Sequence, residues 1–324
     1  MLEKSITAKE KYSEFIKNVY VPIYSQPWWL DAICTFENWD VWLYESNNEI
    51  WAAMPYYYEK RGIYKYITKA PLTQNNGIIF RYPKGISSVG KSAHEEKIIN
   101  AANEFIEMLN LDVYEQQYHY SFKNYLPFFW NCFTAIPRYT YVIGKDISID
   151  DAWNRVTSKQ RSVIKKGRRG GQYSEDISKE RFYEEHKKIF EKQGLSCPFS
   201  YDLWERLYES TKAEKKGKIA CYKDKEDNIL SLIFWVWDDE AVYQLLGGGM
   251  PQYQNLDTYD SLIWDGVCMA KEMGKAYDFE GSMIKRISKS FREYGGEPKQ
   301  YFRIRKVFNK EIVRMECEDY CKRL

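Results

Sequence analysis

One order of elements is written twice along this chain. In the second half the sequence predicts a helix from Tyr201 to Tyr208, a strand over Lys218–Lys223 and a charged turn at 225–228. A strand over Ile229–Trp237, a turn at 238–240 and a strand over Ala241–Leu246 follow. The glycine-rich stretch GGGMPQYQNLDT then leads to an amphipathic helix over Tyr259–Met273, stopped by Gly274, and a closing strand over Ala276–Glu280. The first half keeps this order. A helix begins near residues 25–30 with Pro27 in its first turn, and strands Trp39–Glu45 and Ile50–Tyr58 flank the turn at 46–49. Strand Tyr64–Lys69, a loop through Pro71 and Asn75-Asn76-Gly77, helix Glu95–Leu109 and a strand at 112–115 complete it. A repeated unit of this kind fixes the architecture before any single element does. Antiparallel strands followed by one long helix and a further strand describe an α+β fold. Two tandem domains are expected, 1–145 and 146–324, each a mixed, mostly antiparallel sheet with helices packed on it.

The length of 324 residues suits two domains, and 44% apolar residues provide for a core in each. The formal net charge of +2 excludes a polycation, so attraction to phosphate or nucleic acid has to come from a local patch; no DNA partner is expected. The N-terminal MLEKSITAKEKYSEF alternates charge and lacks the apolar run of a signal peptide. The apolar run Ile229–Trp237 has strand length, far below the roughly 20 residues of a membrane span. A soluble, cytoplasmic protein without membrane insertion is expected. The seven cysteines form no CxxC, and Cys317 with Cys321 makes only two ligands on one helix face, so no metal site is expected and the thiols read as reduced.

The stretch Tyr277-Asp278-Phe279-Glu280-Gly281-Ser282 carries the sharpest chemistry. Alternation in a strand puts Tyr277 and Phe279 on one face and Asp278 and Glu280 on the other, the two carboxylates roughly 6–7 Å apart at twice the strand rise. Partial desolvation of such a pair raises one pKa and makes a proton acceptor for an attacking amine, with Glu280 favoured for its reach. Gly281 permits a close backbone approach, and Ser282 is a substrate-contact candidate beside it. Without a chemical role the same pair would be one solvated face of a strand.

A second candidate is the basic run Lys159, Arg161, Lys165, Lys166, Arg168 and Arg169, ringing a helix whose apolar stripe is Trp153, Val156, Val163 and Ile164. Arg161 and Lys165 are its candidates for a phosphate or tRNA contact, set against a plain solvated face. A third is the end of the strand at 241–246. Tyr243, Gln244, Gly247 and Gly248 are substrate-contact candidates, with backbone N–H groups near Leu246–Gly248 available to an oxyanion. The glycine run itself reads as a loop. It holds no Arg or Lys, and Pro251 removes a donor, so a CoA pyrophosphate cradle is not expected there.

Four stretches, SQPWWLDAI (25–33), WNRVTSKQRSVIKKGRRGG (153–171), YDFEGS (277–282) and FREYGG (291–296), resemble the FemAB-like branch of the GNAT acyltransferases, which carry two GNAT-type domains in tandem. The resemblance implies transfer of an acyl or aminoacyl group to an amine held between or beside the domains, with an envelope precursor as one class of substrate. FREYGG stands where the peptidoglycan-bridge enzymes have F-K-x-x-F-G, which implies that Arg292 holds an anionic group. Leu30-Asp31-Ala32 stands where those enzymes place a lysine. No tightly bound cofactor is expected, and the acyl donor, aminoacyl-tRNA or acyl-CoA, stays open. An acetyl-CoA-dependent N-acetyltransferase acting on a sugar or lipid-precursor amine is the alternative. A binding protein without chemistry is the third reading.

Overall fold

The structure, a computed structural model, describes residues 2–192 and 194–322, with side chains from residue 8 onward. In chain order the elements before residue 144 are α1 (Leu2–Phe15), α2 (Pro27–Cys34), β1 (Trp39–Ser46), β2 (Glu49–Arg61), β3 (Tyr64–Thr68), β4 (Ile79–Phe80), α3 (Ser88–Met108), β5 (Val113–Gln117), α4 (Leu126–Trp130) and β6 (Thr134–Ile143). Then come α5 (Ile149–Arg155), α6 (Ser158–Gly170), β7 (Gln172–Ser174), α7 (Lys179–Glu191), α8 (Tyr201–Ala213), β8 (Gly217–Lys223), β9 (Ile229–Trp237) and β10 (Ala241–Gly249). The last are α9 (Thr258–Glu272), β11 (Ala276–Asp278), α10 (Lys285–Glu293), β12 (Glu297–Val307) and α11 (Lys310–Cys321). The expected α+β class is the one observed.

The chain forms two compact units. One holds the residues up to Arg138 together with those from Gln300 onward, and the other holds Tyr139–Lys299. This differs from a division at 145/146 in the return of the last residues to the first unit. The reason is strand pairing: the second half of β12 lies antiparallel to β5, Arg303 opposite Gln117 and Val307 opposite Val113.

The repeat is visible in the pairing of each unit. In the first, β1–β2–β3 is an antiparallel series, α3 crosses over, and β5 returns parallel to β3 at Tyr66–Val113. In the second, β8–β9–β10 is antiparallel, α9 crosses over, and β11 returns parallel to β10. Helices α3 and α9 therefore hold the same topological place. Each series ends on an antiparallel strand, β12 against β5 and β6 against β11.

Each crossover helix buries one stripe on its own sheet. In α3 the stripe is Ile98, Ile99, Ala102 and Ile106, packed with Met54, Ile67 and Tyr114. Its start lies seven residues before the expected Glu95, because the Ser87 hydroxyl accepts from the Gly90 N–H at 3.1 Å and caps it there. In α9, Leu262, Ile263, Val267 and Ala270 pack with Ile233, Trp235, Val242 and Tyr277.

Candidate active site

The second unit contains a fork. Parallel strands β10 and β11 pair only over Ala241–Tyr243 and Ala276–Asp278. Past that point β10 follows β9 alone, and its register slips between Gln244, opposite Trp235, and Leu246, opposite Phe234. Leu245 is thus a bulge residue, which bends and twists its strand and leaves one residue out of the ladder. On the other side β11 stops at Asp278, and Glu280 and Gly281 take left-handed φ values of 66° and 69°. Parallel strands that part at their carboxyl ends open a crevice, the usual ligand position in such sheets.

The acidic pair is placed differently from the sequence expectation. The strand ends before Glu280, so the two carboxylates do not share a strand face. Asp278 is buried, as are Tyr277 and Phe279 on the opposite face, so neither face of the strand is solvated. The Thr140 hydroxyl, on β6, donates to Asp278 Oδ1, and the Glu280 backbone N–H donates to the same oxygen at 2.8 Å. Burial pushes the Asp278 carboxyl up to about 6 and Asp238 adds to the rise, while the two donated hydrogen bonds oppose it. Glu280 is half-buried. Gly281 is required where it stands. A Cβ there would collide with the Tyr139 carbonyl and lie 2.8 Å from Thr140 Cα, on a backbone conformation that side chains disfavour.

The other arm of the fork carries a polar chain. The Trp235 Nε1–H donates to the Tyr277 hydroxyl at 3.2 Å, which donates to Gln244 Oε1 at 2.9 Å. Gln244 Nε2 donates to the Tyr259 hydroxyl at 3.0 Å. Burial raises the Tyr259 phenol above its ordinary value, so it stays protonated at neutral pH. Because its oxygen accepts from Gln244, its own proton is left to donate at the fork. A Cβ on Gly247 would lie 3.1 Å from the Tyr259 ring, so the glycine and the phenol are neighbours.

Gly247, Gly248 and Gly249 are the last residues of β10, paired with Ile233, Leu232 and Ser231, and not the expected loop. Gly248 packs against Ile189. Tyr243 is buried and donates to Asp238 Oδ2 at 2.7 Å, which makes it a brace for the turn between β9 and β10. Ser282 Oγ accepts from the Ile284 N–H at 3.0 Å, in the turn that leads to α10. Arg292 is exposed on α10, one residue past the buried Phe291.

The basic run also divides. The expected continuous helix is broken at Val156–Thr157, where the Thr157 hydroxyl accepts from the Gln160 N–H and starts α6. Arg161 Nη1 donates to the carbonyl oxygens of Trp153 at 3.2 Å and Asn154 at 3.4 Å, closing the end of α5. Lys166 Nζ reaches Asn255 O and, at 2.7 Å, Asp257 Oδ2, while Arg168 pairs with Asp265 at 2.8 Å. Lys159, Lys165 and Arg169 are exposed, with Lys165 Nζ 5.9 Å from the Trp153 ring centroid. The inward stripe of α6 is Gln160, Ile164 and Gly167. Gln160 Nε2 donates to Asp260 Oδ1 at 2.7 Å, and Tyr294 donates to the same oxygen at 2.7 Å.

Sequence reasoning missed Thr140 and Tyr259. Thr140 meets Asp278 only through the pairing of β6 with β11, which no local pattern announces. Tyr259 does sit at the start of the expected helix, and its place beside a glycine-rich strand end was the available signal. Among the described residues no cluster of three or more His, Cys, Asp or Glu side chains could hold a metal, and no helix is long and apolar enough to cross a membrane. All seven cysteines are free thiols.

Residues 155–283, which contain both arms of the fork, match the family model of the acetyltransferase (GNAT) domain. Over nearly the whole chain the fold is shared with proteins of solved structure. FemX is similar over 94% of this chain and 97% of its own, with a TM-score of 0.68 at 12% identity. The L-PGS structure from Bacillus licheniformis is similar over 94% of each chain, with a TM-score of 0.53 at 13% identity. The C-terminal domain of a putative lysylphosphatidylglycerol synthetase from Agrobacterium fabrum is similar over 99% of this chain and 96% of its own, with a TM-score of 0.53 at 9% identity. At these identities the likeness is one of fold. No curated protein sequence matches the chain.

Proposed function

We propose that this protein is an acyltransferase that moves an acyl group, carried as an aminoacyl ester, onto a primary amine at the fork between β10 and β11. The observation that carries this reading is the joint geometry of the fork: a bulge at Leu245 on one arm and a left-handed Glu280 on the other. A non-glycine residue held at positive φ costs free energy, and such residues cluster at functional sites.

Each group has a stated part. Glu280 takes a proton from the attacking ammonium, and the freed amine attacks the ester carbonyl. Backbone N–H groups in the Leu245–Gly248 segment stabilise the tetrahedral oxyanion. Tyr259 donates its proton to the departing alkoxide oxygen as the C–O bond breaks, and the phenolate so formed takes the second proton of the attacking nitrogen as the amide forms. Asp278 positions Glu280 by holding its N–H. Arg292 and the exposed Lys159, Lys165 and Arg169 are proposed contacts for anionic parts of the substrates.

The start of α9 favours an ester carried by tRNA over acyl-CoA. A CoA pyrophosphate needs free N–H groups at a helix start in a positive field. Here Asp257 and Asp260 occupy that start, and the lysine that reaches it, Lys166, is paired with Asp257. Thermal unfolding with charged tRNA and with acetyl-CoA tests this reading, since a true donor stabilises by mass action. The proposal expects an upward shift with charged tRNA and none with acetyl-CoA; the reverse pattern would favour the N-acetyltransferase. The acceptor is proposed as an amine-bearing envelope precursor met in the cytoplasm.

A further inference from the structure

Past the turn at Glu280 and Gly281 the chain comes to the surface of the second unit. Met283 and Ile284, the last two residues before α10, are 54% and 60% exposed. Single apolar side chains are common on protein surfaces, but two large aliphatic neighbours beside a row of charge are a patch with a use. The Ser282 hydroxyl accepts from the Ile284 N–H at 3.0 Å and fixes the backbone that presents them.

Helix α10 supplies the charge. At 3.6 residues per turn Lys285, Arg286, Lys289 and Arg292 fall within about 120° of its circumference. All four are exposed. The opposite side is fastened to the unit: the Phe291 and Phe279 ring centroids are 4.9 Å apart, and Ser288 is hydrogen-bonded to the Tyr141 hydroxyl. Lys285, Arg286 and Arg292 have no ion-pair partner among the described residues, and Lys289 lies 3.8 Å from Glu293. The next carboxylate along the chain, Glu297, is taken by Arg155 at 2.7 Å. The row is therefore positive and largely uncompensated.

An aliphatic tip beside uncompensated cations complements an anionic bilayer surface. The tip enters the boundary between headgroups and acyl chains, and the ammonium and guanidinium groups meet lipid phosphates. Nucleic acid would use the same cations but has no use for the tip. Proteins hold unpaired bases by stacking them on aromatic rings. Every aromatic residue of 277–296 is buried: Tyr277, Phe279, Phe291 and Tyr294.

We propose that residues 283–289 are a membrane-docking surface that seats this unit on a bilayer containing anionic phospholipid. Met283 and Ile284 insert, and Lys285, Arg286 and Lys289 pair with phosphates. Glu280 stands three residues before Met283, so docking brings the turn of the fork to the headgroups. The assignment is made from this surface alone and does not depend on the reaction assigned to the fork.

Co-sedimentation of the full chain with vesicles, without donor or acceptor, tests it. Vesicles of phosphatidylcholine are compared with vesicles of equal parts phosphatidylcholine and phosphatidylglycerol. The expected result is saturable binding to the mixed vesicles, at least about tenfold tighter than to phosphatidylcholine, since each cation at an anionic surface contributes roughly fivefold. Lys285→Glu/Arg286→Glu is expected to weaken it about tenfold or more. Met283→Ser/Ile284→Ser, which keeps every charge, is expected to weaken it roughly fivefold or more. The same charge change on α7, Lys187→Glu/Lys188→Glu, is expected to leave binding within about twofold, because a local surface and not net charge does the binding. Thermal unfolding of each variant guards against loss of fold, and the comparison of vesicles on the unmodified protein needs no variant. Uncharged tRNA is titrated in parallel. Binding of tRNA that is lost in Lys285→Glu/Arg286→Glu, with no binding of vesicles, would assign the row to RNA and overturn the proposal. So would equal binding to both kinds of vesicle, no saturable binding to either, unchanged binding in Met283→Ser/Ile284→Ser, or an equal loss in the α7 variant.

Discussion

The backbone N–H of Glu280 donates to Oδ1 of Asp278 at 2.8 Å, so the first carboxylate of the pair holds the turn that carries the second. Asp278 closes a small ring over its own chain, as aspartates do in turns. Thr140 donates to the same oxygen from the neighbouring strand, which ties the turn to β6.

The raised pKa of Asp278 makes stability depend on pH with a definite sign. The folded state holds this proton up to about 6, against an ordinary value of 3.8. Between these values the folded state binds more protons than the unfolded state, so stability falls as pH rises. The full effect is about 3 kcal/mol at 1.36 kcal/mol per pKa unit. Asp278→Asn, whose amide oxygen still accepts from Thr140 and Glu280, lacks this titration. Urea unfolding at pH 4, 5, 6 and 7 is expected to show the wild type losing stability relative to Asp278→Asn from pH 4 to 6. A difference that does not change with pH would mean that Asp278 is not desolvated.

Gly281→Ala places a methyl group against the Tyr139 carbonyl at a φ of 69°. The expected cost is roughly 2 kcal/mol or more, from the left-handed backbone and the collision together. Denaturant unfolding measures it. A loss below about 0.5 kcal/mol, the range of an ordinary surface change, would mean that the turn has room to move.

Much of this fold is legible in the sequence, and the failures have local causes. Strand β9 runs over Ile229–Trp237 as its β-branched and aromatic residues predict, and α9 lies within a residue of where amphipathic periodicity places it, while α3 begins seven residues early at its Ser87 cap. The alternation Tyr277-Asp278-Phe279-Glu280 suggests a strand through Glu280, but period-two patterning cannot register that Asp278 captures the Glu280 N–H. The glycine run at 247–249 reads as a loop because glycine is a turn former. It stays in the sheet because Ser231–Ile233 pairs with it, and Gly247 sits where a Cβ would meet the Leu232 carbonyl at 2.7 Å. The inward stripe of α6 is invisible to an apolar count, since two of its three buried members are Gln160 and Gly167. The return of β12 to β5 joins residues far apart in the chain and leaves no local trace.

Tyr259 supplies the proton for the leaving group in this account, and Gln244 fixes its orientation. Tyr259→Phe keeps the ring against Gly247 and removes only the hydroxyl. Its turnover is expected to fall at least about tenfold with little change in thermal stability. Turnover equal to the wild type would remove Tyr259 from the chemistry and leave it as a brace for Gln244.

In the proposed reaction Glu280 accepts the proton of the attacking amine. Its most direct test is single-turnover transfer of a labelled aminoacyl group from charged tRNA to primary-amine acceptors, comparing the wild type, Glu280→Gln and Asp278→Asn. Transfer by the wild type and a loss of about 10²- to 10⁴-fold in Glu280→Gln are expected. Asp278→Asn, which keeps the acceptor for the Glu280 N–H, stays within about tenfold. Full-rate transfer by Glu280→Gln would mean that Glu280 takes no proton from the amine.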